Sequence, residues 1–515
     1  MGLNVSGLVA LVVFYLLTLA TGIWASRKTK KEKSQKPSEV AIVGDRNMNF
    51  CIALFTATAT GVGGAYINGT AELVYLPSRG LVWVQAPVGL ALSLLVGGLF
   101  FVKPMRTRNY VTLMDPIQES YRNVMASLLF IPPLIADVFW FAAILASLGA
   151  TMEVILDIQV ILYTFLGGLY SVAYTDVIQL VFITISLWMC IPFALMNSAT
   201  QSISFTAAHD LFQAPWIGKV EMQYFGRWID DFLYLVLGGI PWQSYFQRVL
   251  SVSSLREARL MSYLAGLGCF AMAVPSVLIG AVAASTDWNQ TRYGLPSPSD
   301  RGDAALILPL VLHYLCPHFS KMELSPWSQR FITSALFSFL FSQATEKGVL
   351  WVMRASMVMF GAAAAGLAFY SHSIFDLWFL GGELVYALLF PQLCCALFVP
   401  GTNTYGSAAG FFLGFLLRLL AGEPSLKIPP VIHYPGCSLV GGTYIQLFPF
   451  KMVTMLVSLF TILSVSYLAA SMFKSGTFLG VAPSLLEALH FRCLFDTELE
   501  LFLDSKALLL FSKAF

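Results

Sequence analysis

An acid and two tryptophans lie inside strongly apolar stretches of the chain, where such groups have a chemical use. Asp137 precedes Trp140 by three residues, so a helix would place both side chains on one face. Trp242 directly follows a Gly-Gly-Ile-Pro run. A carboxylate attracts cations, and an indole face attracts quaternary ammonium by about 0.5 to 2 kcal/mol. These residues predict a site for an organic cation, with plain core packing of the two indoles as the alternative.

Motifs for catalysis, metal binding and nucleic-acid binding are absent from the sequence. The six histidines are scattered without a metal-ligand spacing, and there is no HExxH, P-loop or nucleophile elbow. The eight cysteines form no CxxC pair, so they indicate neither a disulfide framework nor a zinc site. A net charge of +2 provides no general attraction to nucleic acid. We therefore expect neither an enzyme nor an ATP-driven pump, and no nucleic-acid partner.

The composition places the predicted cation site in a membrane. Of the 515 residues, 57% are hydrophobic and 11% are charged, against roughly 25% charged in an ordinary globular chain. Runs of roughly 20 apolar residues are long enough to cross a bilayer as helix, so the pattern predicts an all-α, polytopic membrane protein of about 12 to 13 transmembrane helices surrounded by lipid. The runs are 5–25, 48–69, 80–102, 124–150, 154–171, 177–196, 230–250, 262–285, 331–342, 351–370, 375–399, 404–421 and 448–473.

Alternate loops between these runs are basic, which predicts the orientation of the chain. Lys and Arg concentrate at 27–46, 103–108 and 248–259, after the first, third and seventh runs. Cytoplasmic loops carry such an excess, so we expect the N-terminus outside and the C-terminus in the cytoplasm. The sequon Asn289-Gln290-Thr291 then falls outside, and Asn289 is the predicted glycosylation site.

Two apolar runs are interrupted at their centres by glycine and proline. The second run breaks at 58–65 and the seventh at 238–242. Unwound backbone at membrane depth must be buried in protein or line a cavity. Because the two runs are five apart in the count, they cross the membrane in opposite directions, as in the inverted repeats of secondary transporters. The alternative is that the glycines only allow close helix packing.

Several stretches of the sequence resemble the high-affinity choline transporters of the sodium:solute symporter superfamily. The stretches that carry the resemblance are Tyr66 to Glu72, Gln85 to Pro87, Gly167 to Asp176, Gly238 to Gln243, Phe246 to Leu250, Ser285 to Thr291, Pro400 to Gly406 and Gly422 to Pro424. The resemblance implies Na⁺- and Cl⁻-dependent uptake of choline or a related organic cation by alternating access. It also implies a leucine-transporter-like fold of two inverted five-helix repeats in residues 1–473, and the plasma membrane of cholinergic nerve terminals.

The resemblance also implies site residues. In this family the choline ammonium lies in an aromatic cage, and Trp140 and Trp242 match two members of that cage. Gly61 and Leu90 stand where a tryptophan and a tyrosine are expected, so the cavity is predicted to be larger and less attractive to trimethylammonium. Sodium is expected at backbone carbonyls near Thr58 and Gly61, together with hydroxyls of the ninth run.

Two internal segments and the tail depart from the family. The chain is altered near 152–165 and 318–347, and the hydroxyl-rich part of the ninth run is absent. Skipped or misjoined coding segments would explain both changes. Residues 474–515 are predicted to be a cytoplasmic tail. A non-transporting or regulatory isoform and a sodium symporter for another small solute therefore remain alternatives, and a homo-oligomer is compatible with the sequence.

Overall fold

The structure, a computed structural model, describes residues 46, 48–156, 169–316, 363–364, 366–367, 374–423, 428–440 and 443–474. The predicted runs at 5–25, 154–171, 331–342 and 351–370 lie wholly or mostly outside these residues, as do the altered segments and the tail.

The regular secondary structure of the described chain is almost entirely helical. Its longer helices are α1 Phe50–Gly61, α2 Gly64–Tyr75, α3 Ala86–Val96, α4 Val102–Thr107, α5 Asp115–Leu129, α6 Ile131–Leu156, α7 Leu169–Leu195, α8 Phe225–Gly238, α9 Gln243–Ser251, α10 Leu255–Ala284, α11 Ile307–Tyr314, α12 Ile374–Leu384, α13 Phe390–Phe398, α14 Thr404–Leu420 and α15 Phe450–Lys474. The π-helical turns Gly97–Phe101 and Val385–Leu389 join α3 to α4 and α12 to α13. Short helical turns are Leu81–Trp83, Ile203–Thr206, Met222–Tyr224, Trp288–Gln290, Pro298–Arg301 and Ala304–Leu306.

A small β-hairpin departs from the all-α prediction. Strands β1 Ser438–Val440 and β2 Thr443–Ile445 pair antiparallel in the connection between α14 and α15. In the sequence two glycines separate β-branched residues here, a composition that favours a tight turn between strands. Among the described residues, the two named strands lie in this loop, and isolated β-bridges occur elsewhere.

Several helices are suited to crossing a bilayer. Four in the described part of the chain are long and apolar enough, and two bent helix pairs would raise the number to six. The four single helices are Leu81–Thr107, Leu255–Ala284, Phe379–Phe398 and Phe450–Met472. A multi-span membrane protein is therefore supported, and the count of thirteen stays a prediction.

Both predicted helix breaks are present. Helices α1 and α2 meet at an angle of 47°. The N–H of Val62, at the end of α1, donates to the carbonyl of Thr58 at 3.0 Å. The backbone of Gly63 is extended. Helix α8 ends at Gly238 and α9 begins only at Gln243, because Pro241 between them has no N–H to continue the helical hydrogen bonds.

The long helix α10 packs across the first broken helix. Gly268 faces Thr58, and a Cβ at position 268 would lie 2.9 Å from the Thr58 Cγ2 atom. The side chain of Thr58 therefore packs directly on the backbone of α10. This close approach holds α1 in place beside the second broken helix.

Candidate functional site

The two helix breaks open into one cavity. Its volume is about 720 Å³ with the space at its mouth included. The lining residues are Ala57, Thr60, Gly61, Leu90, Leu94, Trp140, Tyr234, Leu235, Gly238, Gly239, Trp242, Ser244, Tyr245, Arg248 and Gly382. The walls are therefore largely apolar and aromatic, with a few polar groups.

The two predicted tryptophans meet in this cavity. Trp140 comes from α6, and Trp242 has an extended backbone at the position that caps α9. Their ring centroids lie 4.7 Å apart in an edge-to-face arrangement at 64°. Such a pair contributes about 0.5 to 1.5 kcal/mol beyond the area that it buries. The pair forms an aromatic wall of the cavity.

Four further side chains of the second broken helix line the cavity and were not predicted. Tyr234 lies one helical turn before the break, and Ser244, Tyr245 and Arg248 follow it on α9. The Tyr245 hydroxyl shares a hydrogen bond of 2.6 Å with Ser262 of α10. Counting helical turns outward from the break would have found these residues.

The space beside Gly61 is already occupied. A Cβ at this position would lie 2.8 Å from the Cys269 Sγ atom and 3.0 Å from the Leu90 Cδ2 atom. Gly61 and Leu90 both line the cavity, and a role of either residue in binding a substrate stays a prediction. Leu90 therefore packs into the space next to Gly61.

Asp137 is not among the residues that line the cavity. It is half-buried on α6, one helical turn before Trp140. Two residues that are three positions apart on a helix point in directions about 60° apart and lie 4.5 Å apart along the axis. One side chain can therefore reach a cavity that the other does not. A direct role for this carboxylate stays a proposal.

Thr58 faces α10 and is not among the cavity-lining residues. Its hydroxyl donates to the Leu54 carbonyl at 3.0 Å, and its own carbonyl accepts the N–H of Val62. The carbonyls that follow it up to Gly61 have no partner within α1, because a helix ends there. Carbonyls at the end of a broken helix can coordinate a cation, and a sodium site at Thr58 and Gly61 stays a prediction. The ninth run, with its serines, lies outside the described residues.

Comparisons with known proteins place the chain in a family. Residues 42–290 match the model of the sodium:solute symporter family. The "High affinity choline transporter 1" of Mus musculus and that of Homo sapiens are each 49% identical over 506 residues, which is 93% of this chain and 87% of each relative. The corresponding Torpedo marmorata protein is 49% identical over 511 residues.

The chain belongs to the sodium:solute symporter family. This confirms the resemblance to high-affinity choline transporters, and a transporter family confirms the expectation that the chain is not an enzyme. The symporter also resembles a solved Na⁺-coupled sialic acid symporter in a substrate-bound outward-open state. The TM-score is 0.63 at 13% identity, over 90% of this chain and 97% of that structure. At this identity the likeness concerns the fold alone.

Next to the cavity this symporter holds a buried charge cluster. We use this name for Asp230, Asp231, Glu383, Arg418, Glu423 and Lys451. The ammonium of Lys451 donates to Asp231 at 2.6 Å and contacts Glu383, and the guanidinium of Arg418 donates to Glu383 and Glu423 at 2.6 Å each. The cluster therefore joins α8, α12, α14 and α15.

Asp230 and Asp231 do not cap their own helix. Helix α8 begins at Phe225, so both residues lie inside it and are buried. The carboxylate of Asp230 accepts the backbone N–H groups of Lys451 and Met452 at 2.9 and 2.7 Å. It therefore caps α15 from another part of the chain.

The charge cluster also contacts the wall of the cavity. The Lys451 ammonium lies 5.5 Å from the centre of the Tyr234 ring. Tyr234 lines the cavity, and Glu383 directly follows the lining residue Gly382. Sequence reasoning missed Glu383, Arg418 and Lys451, although ionisable residues inside apolar runs are functional or structural candidates by default.

Proposed function

We propose that this chain takes up choline, or a related organic cation, across the plasma membrane together with Na⁺. One observation carries the proposal: four aromatic side chains line a cavity where two broken helices meet. They are Trp140, Tyr234, Trp242 and Tyr245. The relatives at 49% identity, which bear the name of choline transporters, support this substrate.

Aromatic walls suit a quaternary ammonium for a physical reason. Such a group has no N–H to donate, so a cavity gains little from offering it hydrogen-bond acceptors. Ring faces attract it through their quadrupoles, and the attraction strengthens in a site without water. The hydroxyl of choline would be held by polar groups of the cavity, such as those of Thr60 and Ser244.

The coupling ions follow from the same geometry and from the resemblance. The carbonyls at the end of α1, between Thr58 and Gly61, would hold Na⁺ together with groups of the ninth run. The resemblance extends the proposal to Cl⁻. Alternating access would expose the cavity first to one side of the membrane and then to the other.

The placement of basic residues and the sequon supports the proposed orientation. Arg256 and Arg259 lie at the start of α10, and Asn289 follows its end. A helix of 30 residues separates these ends by about 45 Å. We infer a cytoplasmic start of α10, an outer N-terminus for the chain and a cytoplasmic tail, at the presynaptic membrane by resemblance.

Replacing Asn289 by glutamine should remove an N-linked glycan. Asn289 is exposed, and its loop lies at the end of α10 that we place outside. The protein from mammalian cells should lose mass on glycosidase digestion, and the variant should lose less. Asn4-Val5-Ser6 and Asn68-Gly69-Thr70 are also sequons; Asn68 is buried in α2, so the comparison is made in an Asn4→Gln background. Unchanged mobility of Asn289→Gln in that background would argue against an outer position for this loop.

Cells that express this chain should accumulate radiolabelled choline in a sodium-dependent manner. We expect this because the aromatic cavity would bind the ammonium group of choline. The inward sodium gradient would then drive the transport cycle. The measurement compares uptake in sodium and in an impermeant organic cation, normalised to surface protein by biotinylation. Replacing chloride by gluconate tests the chloride dependence separately.

A second candidate is symport of a solute that also carries a carboxylate. Arg248 lines the same cavity and would attract such a group. Labelled glycine betaine, which combines a quaternary ammonium with a carboxylate, is the matched substrate. Normal surface protein with uptake of neither compound would exclude both candidates and favour the non-transporting isoform.

A further inference from the structure

The guanidinium of Arg106, at the end of α4, binds the end of the second broken helix. It donates to four backbone carbonyls, those of Val249, Leu250, Val252 and Ser253, at 3.3, 3.3, 2.6 and 2.9 Å. These carbonyls lie at and just beyond the end of α9, where a helix has no internal donors for them. A cation at this end also complements the helix dipole. Arg106 therefore caps the half-helix that carries Trp242 at its other end.

The segment that leads into the first broken helix is held at the same place. The N–H of Met48 donates to the Ser251 carbonyl at 3.0 Å, and Met48 forms a parallel β-bridge with Val252. Arg46 donates to the carbonyls of Asn109 and Tyr110 at 2.8 and 3.2 Å. The start of α1, the end of α9 and the end of α4 are thus joined by hydrogen bonds.

These contacts close one end of the path between the two broken helices. Helix α1 runs from Phe50 towards the break at Gly61, and α9 runs from its own break towards Ser251. Both half-helices line the cavity, α1 from Ala57 to Gly61 and α9 from Ser244 to Arg248, and they are joined beyond this lining at Met48 and Val252. A solute that leaves the cavity between α1 and α9 must separate these ends.

We propose that Arg106, with the Met48 and Val252 bridge, is a latch that closes the cytoplasmic exit of the cavity. The side of the membrane rests on the orientation given under the proposed function. Arg106 touches no substrate: it is a positioning residue that holds α9 against α1. Release of a solute to the cytoplasm requires its bonds to the end of α9 to break.

Accessibility of a cavity residue from the cytoplasmic face tests the latch without any transport. Ala57 lines the cavity on α1, and the Cys51→Ser background removes an exposed thiol. In inside-out vesicles, Arg106→Met should speed modification of Ala57→Cys by a charged thiol reagent about tenfold or more, because the cytoplasm-open state gains population. Arg106→Lys should give a smaller increase, since lysine cannot reach four carbonyls at once.

Arg108→Met is the matched control for this measurement. Arg108 is exposed, lies two residues further on and donates to the Tyr110 hydroxyl at 3.1 Å. It should leave the modification rate unchanged. Equal rates in Arg106→Met and Arg108→Met, at equal surface levels, would overturn the latch even if choline uptake is normal.

A reversible crosslink keeps the proposal testable if Arg106→Met fails to fold. Residues paired across a parallel bridge lie about 4.8 Å apart, within the range that a disulfide spans. In the same background, oxidised Met48→Cys/Val252→Cys should lose uptake, and reduction should restore it. Unaltered uptake by verified crosslinked protein would contradict the latch. Absence of uptake in the parent protein would instead contradict the proposed function and leave the accessibility result standing.

Discussion

Lys451→Met is expected to lower the free energy of unfolding by about 3 to 5 kcal/mol and to remove most of the protein from the cell surface. The ammonium of Lys451 donates to Asp231 at 2.6 Å and contacts Glu383, and all three side chains are buried. Methionine is about as long as lysine but carries no charge. The buried carboxylates of Asp231 and Glu383 would therefore lose the cation that they share. The measurement is the melting temperature of the solubilised protein, together with surface biotinylation.

Arg227→Met is the matched control for this substitution. Arg227 lies 3.8 Å from Asp231, and one third of its side chain is exposed, against 9% for that of Lys451. A partly exposed cation at this distance contributes about 0 to 1 kcal/mol, because water screens its charge. Neutralising Asp231 by asparagine should recover part of the loss in Lys451→Met, because fewer buried charges remain unpaired. Equal melting temperatures for Lys451→Met and Arg227→Met would show that the charge cluster does not stabilise the fold.

Trp242→Ala should raise the KM for choline by about 2- to 30-fold, which corresponds to a cation–π contribution of about 0.5 to 2 kcal/mol. Trp242 caps α9 at the break and meets Trp140 edge to face at 4.7 Å. Loss of the indole removes a ring from the proposed ammonium site and leaves Trp140 without its neighbour. The measurement is the concentration dependence of sodium-dependent uptake per surface molecule.

Two variants separate this effect from a general loss of packing. Trp242→Phe keeps an aromatic face and should raise the KM less. Trp188→Ala removes the same indole from α7, where 47% of the side chain is exposed on the outside of the bundle, and should leave the KM unchanged. A KM for Trp242→Ala equal to that of Trp188→Ala would show that this ring does not bind the substrate.

The helix breaks could be predicted because their causes are local. Pro241 has no N–H, and the glycines around residues 61–64 and 238–239 stabilise helix poorly, so both interruptions can be identified without any partner. The all-α class depends on the same local properties and on the length of the apolar runs. The β-hairpin at 438–445 is too short to give a comparable signal.

The candidate site was predicted only in part. Trp140 and Trp242 were expected to share a cavity, and the structure brings their rings into contact. Tyr234 and Tyr245 were missed because tyrosines are frequent in apolar runs and only a neighbouring helix decides which face is enclosed. Asp137 shares a helix with Trp140, but helical spacing alone does not specify which side chain reaches the cavity.

The sequence by itself determined that this chain is a helical membrane protein, where its helices break and that Trp242 follows the second break. These properties depend on hydropathy and on backbone chemistry within a few residues. Tertiary structure alone decided that Lys451 pairs with Asp231 and Glu383, and that Arg106 caps α9. The members of each pair are more than sixty residues apart in the sequence. The sequence does not identify which distant charges will meet, because the pairing depends on the packing that removes water from both groups.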